Sequence, residues 1–284
     1  MIEREAIEKL FLALPTISDY HSPDTLLYGF LKDASRKEIE KLFKNKKGKI
    51  GFYPFGKIIF PYHKMGAIDS LNLFDLDELI IFSYYWRNRS RYKKVLDIGA
   101  NLGLHSIILS KCGYNVSCYE PDPLHFKILL TNIKLNGIKN VTPYNMAVSN
   151  KESILDFIRV LGNTTGSHIA GAKKNPYGKL EKISVATADF RKIITGFDLI
   201  KMDVEGHEKE IICSTQYNDW KNSDGMLSVH DEVNAKALFE HFSKLKVNLF
   251  SQKINWKKVN SWKDIPGNHY EGSLFASIKK EMCW

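Results

Sequence analysis

The rhythm of hydrophobic and polar positions changes near residue 95. Before it, residues 1–14 and 35–45 carry apolar and charged positions at helical spacing. DLDELIIFSYYWRN, 75–88, predicts a helix with acids in its first turn and arginine toward its end. GKIGFYPFGKIIFPY, 48–62, predicts a hairpin, two aromatic and β-branched runs around a Pro-Phe-Gly turn. From 95 onward strands alternate with helices. VLDIGA (95–100), NVSCYE (115–120), VTPYNMAV (141–148), DLIKMD (198–203), GMLSVH (225–230), KVNLF (246–250) and SLFASI (273–278) read as strands. Residues 103–112 and 123–136 read as helices, the second capped by Asp122, opened by Pro123 and stopped by Gly137. The pattern predicts an α/β fold: a mostly parallel, doubly wound sheet covered on both faces. A helical and hairpin extension occupies 1–89, as substrate cover or dimer surface, and the sheet domain occupies 90–284. The polar, Gly-rich stretch GNTTGSHIAGAKKNPYG, 162–178, interrupts the rhythm and reads as a lid or binding loop.

Composition changes this picture little. The 284 residues suffice for a full core, and no apolar run approaches the ~18 residues of a membrane span. The first residues, MIEREAIEKL, carry acids and no apolar signal core. Cys112, Cys118, Cys213 and Cys283 form no C-x-x-C pair, which suits reduced thiols and a cytoplasmic protein. The net charge of +9, with basic clusters at 32–49, 87–94 and 244–263, is compatible with an anionic partner or with a solvated lysine-rich surface.

The candidate chemistry starts at VLDIGANLGLHS, a strand, a glycine turn and a helix start in one line. Parallel sheets bind ligands beyond the carboxyl ends of their strands, so this turn faces a cofactor. The glycines are spaced G-A-N-L-G, so the dinucleotide fingerprint G-x-G-x-x-G is absent. Glu120 ends the next strand, about 20 residues on, where an acid holds ribose hydroxyls. An adenosine ligand without a pyrophosphate fits this pair. S-adenosylmethionine is such a ligand, its amino-acid end on the Gly99 backbone and Asp97, its ribose on Glu120.

DIGANLGLHS, YEPDP and DLIKMDVEGHE together resemble the FkbM-type family of S-adenosylmethionine-dependent methyltransferases. The family opens with D-x-G-A-N-x-G and is best marked by D-x-E-G-x-E after a strand. YNMAVSN and ISVATADF fit its third-strand ending and pre-motif strand, so the match spans 90–250. The resemblance implies a Rossmann-like class I methyltransferase domain, with Asn101, Gly103, Asn145 and Ala147 joining Asp97, Gly99 and Glu120 around the cofactor. It also implies O-methylation, often of sugars, glycans or secondary metabolites, with N-methylation of peptides or small molecules as the alternative. RNA methylation is compatible with the charge, but no N-P-P-Y or D-P-P-Y motif follows the fourth strand.

Asp203, Glu205 and His207 follow a buried strand and are expected to line the acceptor site. A hydroxyl nucleophile gains from a base, and an imidazole titrates near neutrality, so His207 is one candidate. His230, ending the next strand, is the other. Glu208 reads as a helix-dipole complement, and His105 and His125 as structural or solvated. Asn163, Thr164, Thr165 and His168, with Ser167, supply hydrogen-bonding groups for a polyhydroxylated acceptor. The cluster has ligand types suited to Mg²⁺ or Mn²⁺, but H-E-x-x-H is absent and no spacing is diagnostic, so a metal is not favoured. The aromatic hairpin 52–62 and Trp86 either cap the acceptor side or pack a core. A homodimer is compatible with all of this.

Overall fold

Eight strands close into one sheet in a computed structural model that describes residues 6–43, 49–52, 54–173, 176 and 178–284, without the side chains of 49–52. They are β1 (Lys94–Ile98), β2 (Asn115–Tyr119), β3 (Val141–Tyr144), β4 (Leu199–Met202), β5 (Asp224–Ser228), β6 (Asn248–Ser251), β7 (Lys257–Lys258) and β8 (Ser273–Ser277). Their order is β7-β6-β8-β5-β4-β1-β2-β3. The run from β3 to β5 is parallel. β8 enters antiparallel between β5 and β6, and β7 closes the edge. The strand order reverses between β1 and β4, so the two motif-bearing strand ends lie side by side at the switch point where such sheets bind ligands.

The helices are α1 (Ala6–Ala13), α2 (Leu26–Leu42), α3 (Leu76–Arg87), α4 (Leu104–Lys111), α5 (Pro123–Leu135), α6 (Phe190–Ile194), α7 (Glu208–Ile212), α8 (Tyr217–Trp220) and α9 (Glu232–Leu245). Asp122 caps α5 as its sequence predicts, accepting from the Leu124 and His125 N–H groups. Successive strand residues point to opposite faces. Val95, Leu199, Met226 and Phe275 face a core that also holds Ile7, Phe11, Phe55 and helices α3 and α4. Leu96, Ile98, Ile200 and Met202 face a second core with Ile211, Trp220, Leu238 and Phe242. The residues before β1 therefore share one core with the sheet. No helix of the described residues is long and apolar enough to cross a membrane.

The structure corrects several expectations. VTPYNMAV is two strands, because the chain turns at Asn145: Val141–Tyr144 joins the main sheet, while Ala147–Ser149 joins a second, four-stranded one. That second sheet is built largely from Ser153–Val160 and Leu180–Asp189, a long antiparallel pair. The helix expected from residue 35 begins at Leu26, where Thr25 accepts the Tyr28 N–H. The hairpin pairs Lys49–Phe52 with Gly56–Ile59. Of its described aromatics, Phe55 and Phe60 are buried in the core and Tyr62 is partly buried against it; Phe55 meets Phe11 and Trp86 edge-on at 5.3 and 5.7 Å. Residues 1–5, 44–48, 53, 174–175 and 177, which complete several of the predicted stretches, lie outside the described residues.

Gly99 is where the fold tolerates no side chain. It sits at φ +75, and a Cβ there would meet the Asp203 carbonyl oxygen at 1.8 Å. Gly99→Ala is expected to cost about 3 kcal/mol or more, from left-handed strain and overpacking together. Gly137 has a similar φ, +64, in open space, so Gly137→Ala should cost only about 1 kcal/mol. Urea unfolding midpoints of the two variants measure the difference.

Candidate active site

Beneath the switch point lies a buried ion pair. Asp97 on β1 and Lys201 on β4 are cross-strand partners, with Lys201 Nζ 3.4 Å from Asp97 Oδ1. Ser106 on α4 donates to Asp97 Oδ2 at 2.6 Å, and Lys201 Nζ donates to the Gly99 carbonyl at 2.9 Å. Burial opposes the Lys201 charge, but Asp97 and then Asp203 outweigh it and raise its pKa. The turn above is held from the other side as well, where the Gly99 and Ala100 N–H groups both donate to the Tyr119 carbonyl. Asn101 then takes φ 52, a conformation Asn accepts more readily than most residues.

A cavity opens over this turn. Glu120 lines it and is held by two backbone donors, Asn101 N–H at 2.7 Å and Asp122 N–H at 2.8 Å. Burial pushes the Glu120 carboxyl up to about 8, against the pull of those two N–H groups. The far wall is apolar and comes from the second sheet: Ala147, Val148, Phe157 and Ile169. Tyr119 completes it, stacked on Tyr144 at 4.7 Å. Asn101 Oδ1 is buried without a hydrogen-bond partner among the described residues. An apolar slot beside a carboxylate, with an orphaned amide oxygen and the Gly99 turn, is a donor set that fits an adenosine bearing an amino-acid tail. His207 lines this same cavity, its Nε2 2.9 Å from Ser149 Oγ, and burial lowers its pKa.

A second, more polar cleft lies beside the cavity. Four residues line both: Asn101, Thr165, Asp203 and Glu205. One wall of the cleft comes from the chain before β1, through Lys32, Asn72, Asp75, Asp77 and Glu78. That wall is stitched down at several points. Tyr28 and Gln252 both donate to Asp77, at 2.6 and 2.7 Å, and the Ala67 N–H donates to the Gly162 carbonyl of the long loop at 2.8 Å.

The charges at the junction are arranged around His230. Its Nδ1 is 2.9 Å from Oε1 of Glu208, a fully buried carboxylate. Its Nε2 faces Asp203 Oδ1 at 3.3 Å and Glu205 Oε1 at 3.5 Å. Burial disfavours a charged ring, but Glu205 and Glu208 outweigh it and raise the His230 pKa well above its ordinary value. Burial would likewise raise Glu205, yet His230 and then its ion-pair partner Lys173 hold it at about 2. Asp203 moves the other way: burial raises it, against Lys201 and His230. Glu205 also sits at φ 55, strain that its two ion pairs hold in place.

The structure thus brings Asp203, Glu205 and His230 together and puts His207 in the wall of the cavity over the Gly99 turn. Gly99, Asn101, Glu120 and Ala147 line that cavity, as does Thr164. Asp97, Gly103 and Asn145 stand behind that lining. Gly103 caps α4 at φ 86, and Asn145 donates to the Glu120 carbonyl at 2.8 Å. Asn163 and Thr165 border the polar cleft. His168 reaches neither space. Strand alternation sends Ile169 to the cavity and His168 the other way, where its Nδ1 lies 3.0 Å from the Gly166 carbonyl. Glu208 stands in the first turn of α7 and takes His230 Nδ1 at 2.9 Å. His125 is buried in the cavity wall, 2.8 Å from Thr164 Oγ1. His105 lines the cleft, paired with Glu78 at 2.7 Å.

A fold with this strand order and site defines an S-adenosylmethionine-dependent methyltransferase of the Rossmann-like class. The family model for the methyltransferase FkbM domain matches residues 97–241. That is just over half of the chain, and the chain belongs to the FkbM methyltransferase family. No curated protein sequence matches it. Similar solved structures include ribosomal protein L11 methylase from Lactobacillus delbrueckii subsp. bulgaricus, 13% identical over 68% of this chain and 75% of that one, TM-score 0.36. Precorrin-6y C5,15-methyltransferase from Geobacter metallireducens GS-15 is 14% identical over 68% and 86%, TM-score 0.38. SAH-bound methyltransferase PaMTH1 from Podospora anserina is 11% identical over 71% and 79%, TM-score 0.38. At these identities the likeness concerns the fold alone.

The position of Glu120 yields a pH test. Ribose hydroxyls donate best to an ionised carboxylate, and the Glu120 proton leaves only at about pH 8. Cofactor affinity is expected to rise about tenfold per pH unit below that value and to level off above it. Calorimetric titration of S-adenosylmethionine from pH 6 to 9 checks this. Glu120→Gln should bind weakly and lose the slope.

Proposed function

We propose that the enzyme methylates a hydroxyl of a sugar or glycan, in a surface-polysaccharide or nucleotide-sugar precursor, with Asp203 as the base. The observation that carries this reading is the place of Asp203, at the junction of the cofactor cavity and the polar cleft. S-adenosylmethionine supplies an electrophilic methyl group on a sulfonium sulfur. A hydroxyl oxygen in the cleft becomes a competent nucleophile as its proton passes to Asp203. Among the groups present, Asp203 suits that task. Burial raises its pKa, whereas Glu205 is held ionised at about 2 and Glu205 and Glu208 raise the His230 pKa well above its ordinary value. The rest of the work is positioning, and Asn101, Thr165 and Glu205 surround the same point.

The cleft itself favours an uncharged, hydroxyl-rich acceptor. The chain carries a net charge of +9, but that charge is not expressed here. Lys173 pairs with Glu205, Lys201 with Asp97, and Lys32 lies 4.0 Å from Asp77. Amide and hydroxyl side chains of Asn72, Asn163, Thr165 and Ser228 also line the cleft, Thr165 Oγ1 donating to Asn163 Oδ1 at 2.6 Å, and Tyr270 offers an exposed ring at the rim for the face of a sugar. These features argue against a phosphate at the reacting end of the acceptor.

Asp203→Asn is expected to lower kcat by about 10²–10⁴, a loss far larger than any change in cofactor affinity, which calorimetric titration measures separately. The assay is the gain of one methyl mass on sugars, nucleotide sugars and glycans, run beside peptide and amine acceptors. Methylation confined to nitrogen, or a full rate in Asp203→Asn, would overturn the reading.

A further inference from the structure

Asp203, Glu205 and His230 converge on one point at the edge of the acceptor cleft, their ligand atoms all within 4.8 Å of one another. We infer that this point is a binding site for a first-row divalent cation such as Mn²⁺ or Zn²⁺, held by Asp203 Oδ1, Glu205 Oε1 and His230 Nε2. Three observations carry the inference.

The first is distance. His230 Nε2 lies 3.3 Å from Asp203 Oδ1 and 3.5 Å from Glu205 Oε1. Charge-assisted N–H···O bonds are shorter, about 2.7–2.9 Å. Ligands bound at ~2.1 Å around one ion stand roughly 3.0 Å apart in an octahedron and roughly 3.4 Å apart in a tetrahedron. The two edges at His230 match the spacing of ligands better than that of short hydrogen-bond partners, and the edge between the two carboxylates lies within 4.8 Å.

The second is an unsatisfied atom. Asp203 Oδ1 is buried and accepts no hydrogen bond from any described residue, although the side chain as a whole is 35% exposed and its Oδ1 faces His230 Nε2. A buried oxygen without a hydrogen bond is costly, and a metal ion that replaces the Nε2 proton would satisfy both atoms at once.

The third is the support behind the ring. Glu208 is fully buried and takes His230 Nδ1 at 2.9 Å, which leaves Nε2 as the nitrogen facing the cleft. A carboxylate behind a histidine is the arrangement that fixes ring orientation and raises ligand basicity at metal centres. The mixed nitrogen and carboxylate set suits Mn²⁺ or Zn²⁺ better than Mg²⁺ or Ca²⁺, which take oxygen ligands. The remaining coordination positions would open into the cleft, where an acceptor hydroxyl oxygen binds. The inference rests on the proposed methyl-transfer reading for what the ion is used for, but not for whether it binds.

The competing cation is Lys173, which pairs with the other oxygen of Glu205. This makes the site testable in both directions. The chelator-treated protein is titrated with Mn²⁺, the free ion being followed by electron paramagnetic resonance, and S-adenosylmethionine binding is measured on the same samples. One Mn²⁺ per chain is expected, displaced by Zn²⁺. His230→Gln and Glu205→Gln should each weaken it at least tenfold, and Lys173→Met should tighten it, a gain that misfolding cannot imitate. Wild-type protein that binds S-adenosylmethionine but takes up no Mn²⁺ at millimolar concentration would overturn the site and leave methyl transfer standing. So would Mn²⁺ binding that is indifferent to His230 and Lys173.

Discussion

The ion pair between Asp97 and Lys201 sits where a parallel sheet would ordinarily carry two more aliphatic side chains, and the site above depends on it. Taking two charges out of water costs several kcal/mol per ion after relaxation, and only good geometry with further hydrogen bonds offsets this. Here Ser106 and the Gly99 carbonyl supply those bonds. The pair also fixes register. Lys201 stands opposite Asp97 and Met202 opposite Ile98, and a slip by one residue would strand a lysine against an aliphatic neighbour while turning each side chain to the wrong face. Register in turn decides which two strand ends meet at the switch point, and so which turns face each other across the cavity.

The neighbouring charges follow from that arrangement. Lys201 lies under the junction and lowers the Asp203 carboxyl that burial raises. Glu205, one turn further on, is governed by His230 and Lys173. Two carboxylates two residues apart thus end with opposite tendencies, one drawn toward neutrality and one locked ionised. Glu208 takes no direct part in the cleft, yet it determines how the imidazole is presented.

Much of this was legible in the sequence where local chemistry and position agree. DIGANLG and DVEGHE sit directly after apolar runs, so the strand, the turn and their place at the carboxyl edge could be read together. The second sheet was harder. In Leu180–Asp189 most of the first half faces solvent, and a half-wet strand leaves too few apolar positions to be told from a loop. The turn at Asn145 was hidden because its amide bonds to backbone far away in the chain. Glu208 reads as a surface acid because its hydrogen-bond partner, His230, lies 22 residues later. The extension showed its helices and hairpin, but the partners that draw it over the cleft, Gln252 on Asp77 and Gly162 on Ala67, lie far along the chain. Its aromatic residues signalled only that something would be buried.

The contact between Gly99 and the Asp203 backbone has a thermodynamic meaning. With the carbonyl oxygen seated where a Cβ would otherwise be, and the Asp203 N–H bonded to the Ile98 carbonyl at 2.9 Å, the two turns that flank the ligand form one piece. Their conformational entropy is lost when the chain folds and not when the cofactor arrives. The heat capacity of binding is then expected to report the apolar slot that Tyr119 and the second sheet form, and not the ordering of these turns.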